Sequence, residues 1–219
     1  MEWNLLRDAY GPATEIPELL AEAGASERED GLAWRELRER LLHDGQISPA
    51  SLAALEPLAD LAVKGPSPVA RAALDLAAGI VAVAWADPTC EQAVPRRALR
   101  RLRDLGRSSL AEATGDDDFL RLLESVMAFE QRSGWYGPLQ DLSEGQLQVT
   151  CPRCGREQRL AVGTITTGDP EEHPDGRRMV ELAREHGRDA LVGRLALLFG
   201  RATCPVCGDV FEMHETVDG

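Results

Sequence analysis

Lysine is almost absent from the 219-residue chain, in which Lys64 stands alone among 24 basic residues, and aromatic residues make up only 5%. Long hydrophobic runs are missing too. The most apolar stretch, from Val69 to Trp85, is interrupted by Arg71 and Asp75, and its uncharged part is about half as long as a membrane span requires. The first residues show neither the basic nor the apolar region of a signal peptide. These absences predict a soluble, cytoplasmic protein without membrane contact.

Sequence signatures of common active sites are missing as well. The chain contains no G-x-G-x-x-G, no phosphate-binding G-x-x-x-x-G-K-[ST] and no Ser-His-Asp order, and nothing in it nominates a catalytic pair. We therefore expect no enzymatic activity and no catalytic residues.

Acidic residues outnumber basic ones along the whole chain. The formal charge is −13, with 15 basic against 25 acidic residues up to Gly145 and 9 against 12 after it. Such a surface repels phosphate backbones, which disfavours nucleic-acid binding, and it attracts basic proteins or cations. The same charge also keeps a protein soluble without any partner, so both interpretations stay open.

Apolar side chains recur at helical spacing over residues 14–132, which predicts six helices. These begin near Ile16, Trp34, Ser48, Ser67, Asp87 and Asp116. Prolines recur through them at intervals of 37 to 40 residues, in one series of Pro12, Pro49 and Pro88 and a second of Pro17, Pro57 and Pro95. We expect the second series to kink the first helix of each pair. An interval near 40 residues is typical of HEAT-like helix pairs, so the pattern predicts a short α-solenoid of about three pairs, with a chance alignment of prolines as the alternative.

The same region carries distinctive local sequence. YGPATEIPELL at residues 10–20, HDGQISPA at 43–50 and PLADLA at 57–62 resemble a group of HEAT-repeat proteins common in actinobacteria, with a YGPAT-x-x-P-x-L-L opening. The resemblance covers roughly residues 3–84. It implies an α-solenoid and contact with other proteins, and it implies no catalytic residues. Where that group continues with further repeats, this chain turns to a cysteine-bearing tail.

A stretch rich in glycine and turn-forming residues, SGWYGPLQDLSEGQ at residues 133–146, breaks the helical period. It predicts a domain boundary, with a HEAT-like helical repeat domain over 1–145 and a smaller module over 146–219. We expect Trp135 and Tyr136 to cover the exposed end of the last helix pair.

Four of the five cysteines form two copies of one motif, CPRCG at residues 151–155 and CPVCG at 204–208, with 49 cysteine-free residues between Cys154 and Cys204. Each C-P-x-C-G places two thiolates on a tight turn, and its glycine permits a left-handed conformation after the second cysteine. Two such turns supply the four sulfurs of a closed tetrahedral zinc site. In a reducing compartment cysteines favour metal over disulfide. We therefore predict one structural zinc per chain, held by Cys151, Cys154, Cys204 and Cys207.

The flanks of both motifs alternate like strands, with QLQVT before the first, RLAV after it and DVFEM after the second. This order is that of a zinc ribbon, a small α+β module extended here by an insertion over about 163–200. The insertion is predicted to contain a loop and a helix from Arg177 to about Phe199. The fold class is therefore mainly α, a short solenoid followed by a zinc-ribbon-like module. A module of this size has a marginal core, so the metal should supply most of its folding free energy.

Other interpretations of the cysteines stay open. The two C-x-x-C motifs could form a redox pair, or the four thiolates could bind an iron–sulfur cluster or another thiolate-bound metal. A catalytic zinc is disfavoured because four thiolates leave no open position for water. His214 could replace one ligand, although a histidine near a strand edge is more often solvated.

Three further features are weaker candidates for binding. Cys90, the fifth cysteine, is expected to be a small core residue. The acidic stretch DPEEHPD at residues 169–175 could contact a basic partner, bind a cation loosely, or be a solvated loop. The basic run RRALRRLRD at 96–104 is either a phosphate-binding stripe or a solvated face, and its arginines include Arg97, Arg100, Arg101 and Arg103.

The leading functional hypothesis is a non-enzymatic scaffold or regulatory protein whose helical surface binds a protein or peptide partner. An immunity-type protein that neutralises a basic partner is one specific form of it, because acidic surfaces attract basic ligands. The alternative from another class is a nucleic-acid-associated or transcription-related zinc-ribbon protein.

Overall fold

The computed structural model of the chain describes residues 2–26, 28–65 and 67–216. It confirms that the protein is mainly α, since the described residues form ten α-helices and two small antiparallel sheets of two strands each. Short 3-10 helices connect several of these elements.

The chain divides into two compact units. The first consists of Met1–Ser109 and Ser125–Ser133, and the second of Leu110–Glu124 and Gly134–Gly219. The boundary predicted after Gly145 lies inside the second unit. The predicted module extends to residues 217–219, which lie outside the described residues. The two predicted domains, 1–145 and 146–219, therefore stay a prediction, and their bounds differ from those of the two compact units.

The first unit is built from helices. Its elements are α1 (Ile16–Gly24), α2 (Leu32–Leu41), α3 (Pro49–Lys64), α4 (Ser67–Ala86), α5 (Pro88–Glu91), α6 (Arg96–Leu110) and the end of α7 (Asp116–Phe129). Within it, α1 packs on α2 and α3 packs on α4. All six helices predicted from apolar spacing are present, the fifth of them in two pieces.

The centre of the first unit is formed by α3 and α4. At the start of α3, the Ser48 hydroxyl accepts from the amide of Ser51 and the Ser51 hydroxyl accepts from the amide of Ser48, which is a capping box. Helix α4 buries side chains on nearly every side, among them Leu74, Ile80 and Val81. Of the described helices it alone is long and apolar enough to span a membrane, and 67% of its most apolar window is buried inside the structure. A helix apolar all round and buried in this way is a core helix.

The expectation that the second proline series kinks helices is wrong at two of its three positions. Pro57 lies inside α3, but Pro17 is in the first turn of α1 and Pro95 precedes α6. A proline in the first turn lacks only an amide that has no helical partner there, so it begins a helix without bending it. The helix predicted from Asp87 toward Leu105 is interrupted, because Pro95 lies between α5 and α6 and α6 begins directly after it.

The second unit combines two hairpins with short helices. Its elements after the start of α7 are α8 (Pro138–Glu144), β1 (Gln146–Thr150), β2 (Glu157–Ala161), α9 (Pro174–Glu185), α10 (Val192–Leu195), β3 (Arg201–Thr203) and β4 (Val210–Glu212). β1 pairs with β2 and β3 pairs with β4, both antiparallel. Leu147 lies opposite Leu160 in the first hairpin and Ala202 opposite Phe211 in the second, and all four are buried. Each hairpin therefore has one face in the core.

The stretch predicted as the domain boundary, residues 133–146, lies in the second unit from Gly134 onward. It contains α8, and Trp135 within it is 1% exposed. The Trp135 indole lies 4.9 Å from the ring of Phe199, measured between centroids, and its Nε1 donates to the carboxylate of Asp175 at 2.8 Å. Trp135 is therefore a core residue of the second unit, in contact with residues of the predicted insertion. That Trp135 and Tyr136 cover the end of a helix pair stays a prediction.

The helix predicted from Arg177 to about Phe199 is shorter. Helix α9 ends at Glu185, and Gly187 adopts a left-handed φ of +67°. Such a glycine commonly terminates a helix. The rest of the predicted helix is a 3-10 turn, the single turn of α10 and a second 3-10 turn.

Two ion pairs join the start of α7 to the C-terminal part of the second unit. Arg188 donates to Asp116 at 3.1 Å, and Arg194 donates to Asp117 at 3.0 Å. Both carboxylates lie in the first turn of α7, where negative charge also interacts favourably with the helix dipole. The acidic start of α7 is thus held by arginines from the C-terminal part of the chain.

Two backbone segments, around Thr166 and around Arg201, come into close contact beside the second hairpin. Thr166 and Arg201 exchange two hydrogen bonds, with N···O distances of 3.0 and 3.1 Å. A Cβ added to Gly168 would lie 1.8 Å from the carbonyl oxygen of Phe199, and one added to Gly200 would lie 1.6 Å from that of Thr166. The crossing therefore requires glycine at both positions.

We expect Gly200→Ala to lower the free energy of unfolding by at least about 2 kcal/mol, because the two backbones must separate to accept the methyl group. Thermal denaturation followed by circular dichroism measures the change. Gly163→Ala is the matched control, since a Cβ there would meet nothing within 4 Å, and it should change stability by less than about 0.5 kcal/mol. Equal melting temperatures for the two variants would contradict the close crossing.

Candidate metal centre

Each cysteine motif forms the turn of a hairpin, the first between β1 and β2 and the second between β3 and β4. In the first turn the amide of Cys151 donates to the carbonyl of Arg156 at 3.0 Å, and the amide of Gly155 donates to the carbonyl of Cys151 at 2.9 Å. The second turn repeats both bonds around Cys204, at 2.8 and 2.9 Å. The repeated motif therefore folds into one repeated geometry.

The glycine of each motif is required by backbone conformation. Gly155 has a φ of +66° and Gly208 a φ of +75°, values that other residues rarely adopt. A Cβ at either position would meet nothing within 4 Å, so space is not the reason. The left-handed turn predicted after the second cysteine of each motif is confirmed.

The two turns bring all four predicted ligands together, with their sulfur atoms within 4.8 Å of one another. The sulfurs of Cys151 and Cys207 are 3.8 Å apart, and so are those of Cys154 and Cys204. Four sulfurs at about 2.3 Å from one tetrahedral ion are separated by about 3.8 Å. Each of these short separations joins one turn to the other. The four cysteines could therefore hold a single metal ion.

The cluster lies at the surface of the second unit. The first cysteine of each motif is buried and the second is exposed. Arg153 and Asp209 form an ion pair at 3.0 Å that joins the two turns. The contact with Asp209 raises the pKa of Arg153, and the nearby Cys207 and Cys151 raise it further. A guanidinium beside the cluster offsets part of the negative charge that four thiolates carry.

Backbone amides and neighbouring thiols push the cysteine pKa values apart. The amide of Cys207, and then that of Val206, donates to the sulfur of Cys204 and lowers the pKa of Cys204 to about 6, against the effect of burial. The amide of Asp209 lowers the pKa of Cys207, but burial and the three neighbouring cysteines outweigh it and raise that pKa to about 12. Four thiols this close cannot all ionise unless a cation offsets their charge. A divalent ion among them provides that charge.

An unpaired amide beside the cluster fits a metal-bound thiolate. The Oε1 atom of Gln158 lies 3.8 Å from the sulfur of Cys204, and its Nε2 atom is buried without a hydrogen-bond partner. A thiol can donate to Oε1, whereas a thiolate only accepts, and a half turn of the amide directs Nε2–H at the sulfur. Sequence reasoning missed Gln158. What could have pointed to this residue is its position in β2, the strand after the first cysteine motif, where it lies opposite Val149 of β1.

Two other candidate residues lie elsewhere. His214 is outside the sulfur cluster, in the 3-10 helix Met213–Thr216, with its ring centroid 5.3 Å from that of His173. Cys90 is half-buried in the single turn of α5 and its sulfur donates to Asp87 at 3.5 Å. The expectation that Cys90 is a core residue is therefore wrong.

The arginine run on α6 is partly neutralised. Arg101 donates to Glu56 at 3.1 Å and to Asp60 at 2.6 Å, and Arg103 contacts Asp104 at 3.5 Å. The hydrogen bond from Arg101 lowers the pKa of Asp60. Two of the four arginines considered as a phosphate-binding stripe are thus engaged by carboxylates of the chain itself.

No protein-family model, no curated protein and no solved structure matches the chain. The resemblance of residues 3–84 to HEAT-repeat proteins therefore stays a prediction. Function has to be inferred from the chemistry of the sulfur cluster and from the charged surface.

Zinc binding near neutral pH should release at least two protons per ion. The amide of Arg156 lowers the pKa of Cys154, but burial and the Cys151 thiol raise it above its usual value, and the pKa of Cys207 is about 12. Both are thiols in the metal-free protein and must ionise to bind metal. Cys204, with a pKa of about 6, is already largely a thiolate.

The number of protons is measured by titration calorimetry in buffers of different ionisation enthalpy. Each released proton makes the apparent affinity rise about tenfold per pH unit, so two protons give a rise of about a hundredfold between about pH 7 and pH 8. Affinity is lost as the pH falls, because protons then compete with the ion. Release of one proton or none would contradict the assignment of Cys154 and Cys207.

Replacing one exposed cysteine should remove the ion. We expect Cys207→Ser to reduce bound metal from one ion per chain to nearly none, and to remove metal-linked stabilisation on the order of 10 kcal/mol. Elemental analysis and thermal denaturation of reduced protein measure both effects. Cys90→Ser is the control and should keep one ion per chain. Full metal content in Cys207→Ser would show that this sulfur is not a ligand.

Proposed function

We propose that the protein is a non-enzymatic binding protein, in which a zinc-ribbon-like module with one structural zinc accompanies a HEAT-like helical surface that contacts a partner. The observation that carries this proposal is the set of four cysteine sulfurs within 4.8 Å of one another. Four thiolates complete a tetrahedron and leave no coordination position for water or substrate. The role of such an ion is to hold two hairpins together.

Zinc is the ion that fits this site best. It prefers tetrahedral thiolate coordination and has no redox chemistry of its own. An iron–sulfur cluster distributes its cysteines over several irons, whereas these sulfurs are close enough to share one ion. The two short cross-turn separations of 3.8 Å match the edge of a zinc tetrahedron. We also propose a cytoplasmic location, where thiols stay reduced.

The charge of the chain supports a basic protein as the partner. The net charge is −13, and several arginines are engaged by the chain's own carboxylates, such as Arg101 with Asp60, Arg107 with Glu130 and Arg188 with Asp116. The carboxylates in excess give the surface a negative electrostatic potential, which attracts a positively charged molecule as it approaches. An immunity-type role, in which the partner is a basic protein to be neutralised, is one form of this proposal.

A role in nucleic-acid binding has less support. It would depend on the arginines of α6, and Arg101 and Arg103 are occupied by acidic neighbours. Phosphate contacts would also have to overcome the overall negative charge. Retardation of DNA or RNA by the full chain in a mobility-shift assay at low salt would favour this alternative.

The test is capture and rebinding of the partner. We expect the immobilised, metal-loaded full chain to capture a basic protein from an extract of its native host, and the purified pair to rebind with a defined stoichiometry. Because the attraction is between opposite charges, the Kd should rise by at least about tenfold between about 50 and 300 mM salt. Titration calorimetry at both salt concentrations measures this change.

An unrelated acidic protein of similar net charge is the control bait, and any protein captured by both baits is discarded as non-specific. An affinity that does not change with salt would contradict the charge argument. A chain that rebinds no captured protein would contradict the binding function itself.

A further inference from the structure

A cavity of about 650 Å³ opens on the second unit, on a part of the chain that the metal centre does not use. It is lined by residues 166–169, 172–173 and 199–201, and by Glu212 and His214. Its volume lies within the range of about 300 to 1,000 Å³ that is usual for ligand sites. Three residues of the acidic stretch 169–175, namely Asp169, Glu172 and His173, thus line this cavity.

The carboxylates of the cavity are only partly neutralised. Arg201 is engaged by Glu212 at 2.6 Å, and Glu171, next to the cavity, is engaged by Arg184 at 2.8 Å. Glu172 has no basic partner among the described residues, and Asp169 uses one oxygen to accept from the backbone amide of Glu171 at 2.9 Å. The cavity therefore presents two carboxylates whose charge is not offset.

Aromatic rings adjoin these carboxylates. The ring centroid of His173 lies 5.3 Å from that of Phe199 and 5.3 Å from that of His214, and all three residues line the cavity. Behind them, Trp135 packs on Phe199 at 4.9 Å. Carboxylates next to flat rings suit a guanidinium or ammonium group on an apolar stem, which pairs with the charge and packs along the rings.

The cavity floor is held in place by backbone contacts. It includes the crossing of Thr166 with Arg201, where the glycines at 168 and 200 allow the two segments to touch. The amide of Gly168 also donates to the carbonyl of Ala196 at 2.9 Å. A site with fixed walls loses little conformational entropy when a ligand enters.

A metal ion is not the ligand these residues fit. In the part of the chain that the structure describes, the four cysteines are the one group of three or more Cys, His, Asp or Glu side chains placed to hold an ion. Asp169, Glu172 and His173 do not converge in that way. The charge also argues against an anion, since the cavity's arginine is already paired with Glu212.

We propose that this cavity binds an arginine or lysine side chain within a basic peptide segment of the partner protein. The inference rests on the proposed function, because it adds to the helical surface a second place of contact with the same basic partner, in the second unit. Asp169 and Glu172 pair with the cationic group, and the rings of His173, Phe199 and His214 pack against its stem.

The probe is a fluorescently labelled tetra-arginine peptide, titrated into the metal-loaded full chain and followed by anisotropy. We expect saturable binding, and a Kd that rises about tenfold in the double variant D169N/E172Q, which removes both charges without changing side-chain size much. E185Q, on α9 of the same unit and outside the cavity lining, is the matched control and should bind like the unmodified chain. Metal content and melting temperature verify that each variant is folded.

The outcomes separate this proposal from the proposed function. Equal weakening by E185Q and by E172Q alone would mean that the peptide reads only overall charge, and the cavity assignment would be wrong while a basic partner remained possible. Unchanged binding of the captured partner to D169N/E172Q would likewise overturn the cavity and leave the binding function standing. Free arginine or spermidine binding as tightly as the peptide would overturn the peptide assignment in favour of a small cation. Loss of affinity confined to D169N/E172Q, for peptide and partner alike, supports the proposal.

Discussion

Four sulfur atoms from two hairpins have to meet around one point, and the second unit depends on that constraint. Between Cys154 and Cys204 lie 49 residues, so the meeting of the two turns closes a long loop, at an entropic cost that grows only slowly with loop length. Two-stranded sheets are marginal on their own. Once ionised, the four thiolates would repel one another, and a divalent ion bound among them would replace that repulsion with four metal–sulfur bonds. Such an ion would therefore decide whether the two hairpins attract or repel each other at this point.

The long excursion between the hairpins also makes contacts that need no ion. The crossing at Gly168 and Gly200 ties the start of the excursion to its end. Trp135 packs on Phe199 and bonds to Asp175, so that the residues preceding β1 join the same core. These contacts lie close to β3, which leads directly into the second cysteine turn. These contacts bring the two cysteine turns near each other without an ion, and an ion bound to all four sulfurs would then fix the separation of the turns.

The cysteine cluster was predictable because its signal is local: C-P-x-C-G prescribes a turn, and β1 precedes it with clear alternation. Other features lack a local signal. β3 has three residues, too few to show an alternation of period two. Helix α8 begins at Pro138 and is followed by Gly145, and a proline and a glycine so close together are also typical of a linker. The pairs Arg188–Asp116 and Arg194–Asp117 of the second unit join residues 72 and 77 positions apart. No short window of sequence contains both partners, so a local pattern cannot predict these contacts.

The near absence of lysine acquires a physical meaning in the structure. Arg101 and Arg188 each donate to two acceptors from two different nitrogens, which the forked guanidinium allows and a single ammonium does less well. Basic residues are thereby engaged in holding elements together, and the excess of acids faces outward. Glu172 is one of the carboxylates of this excess, and an external cation can pair with it. A partner's arginine entering beside Asp169 and Glu172 would form the same kind of ion pair by which this chain secures its own helices.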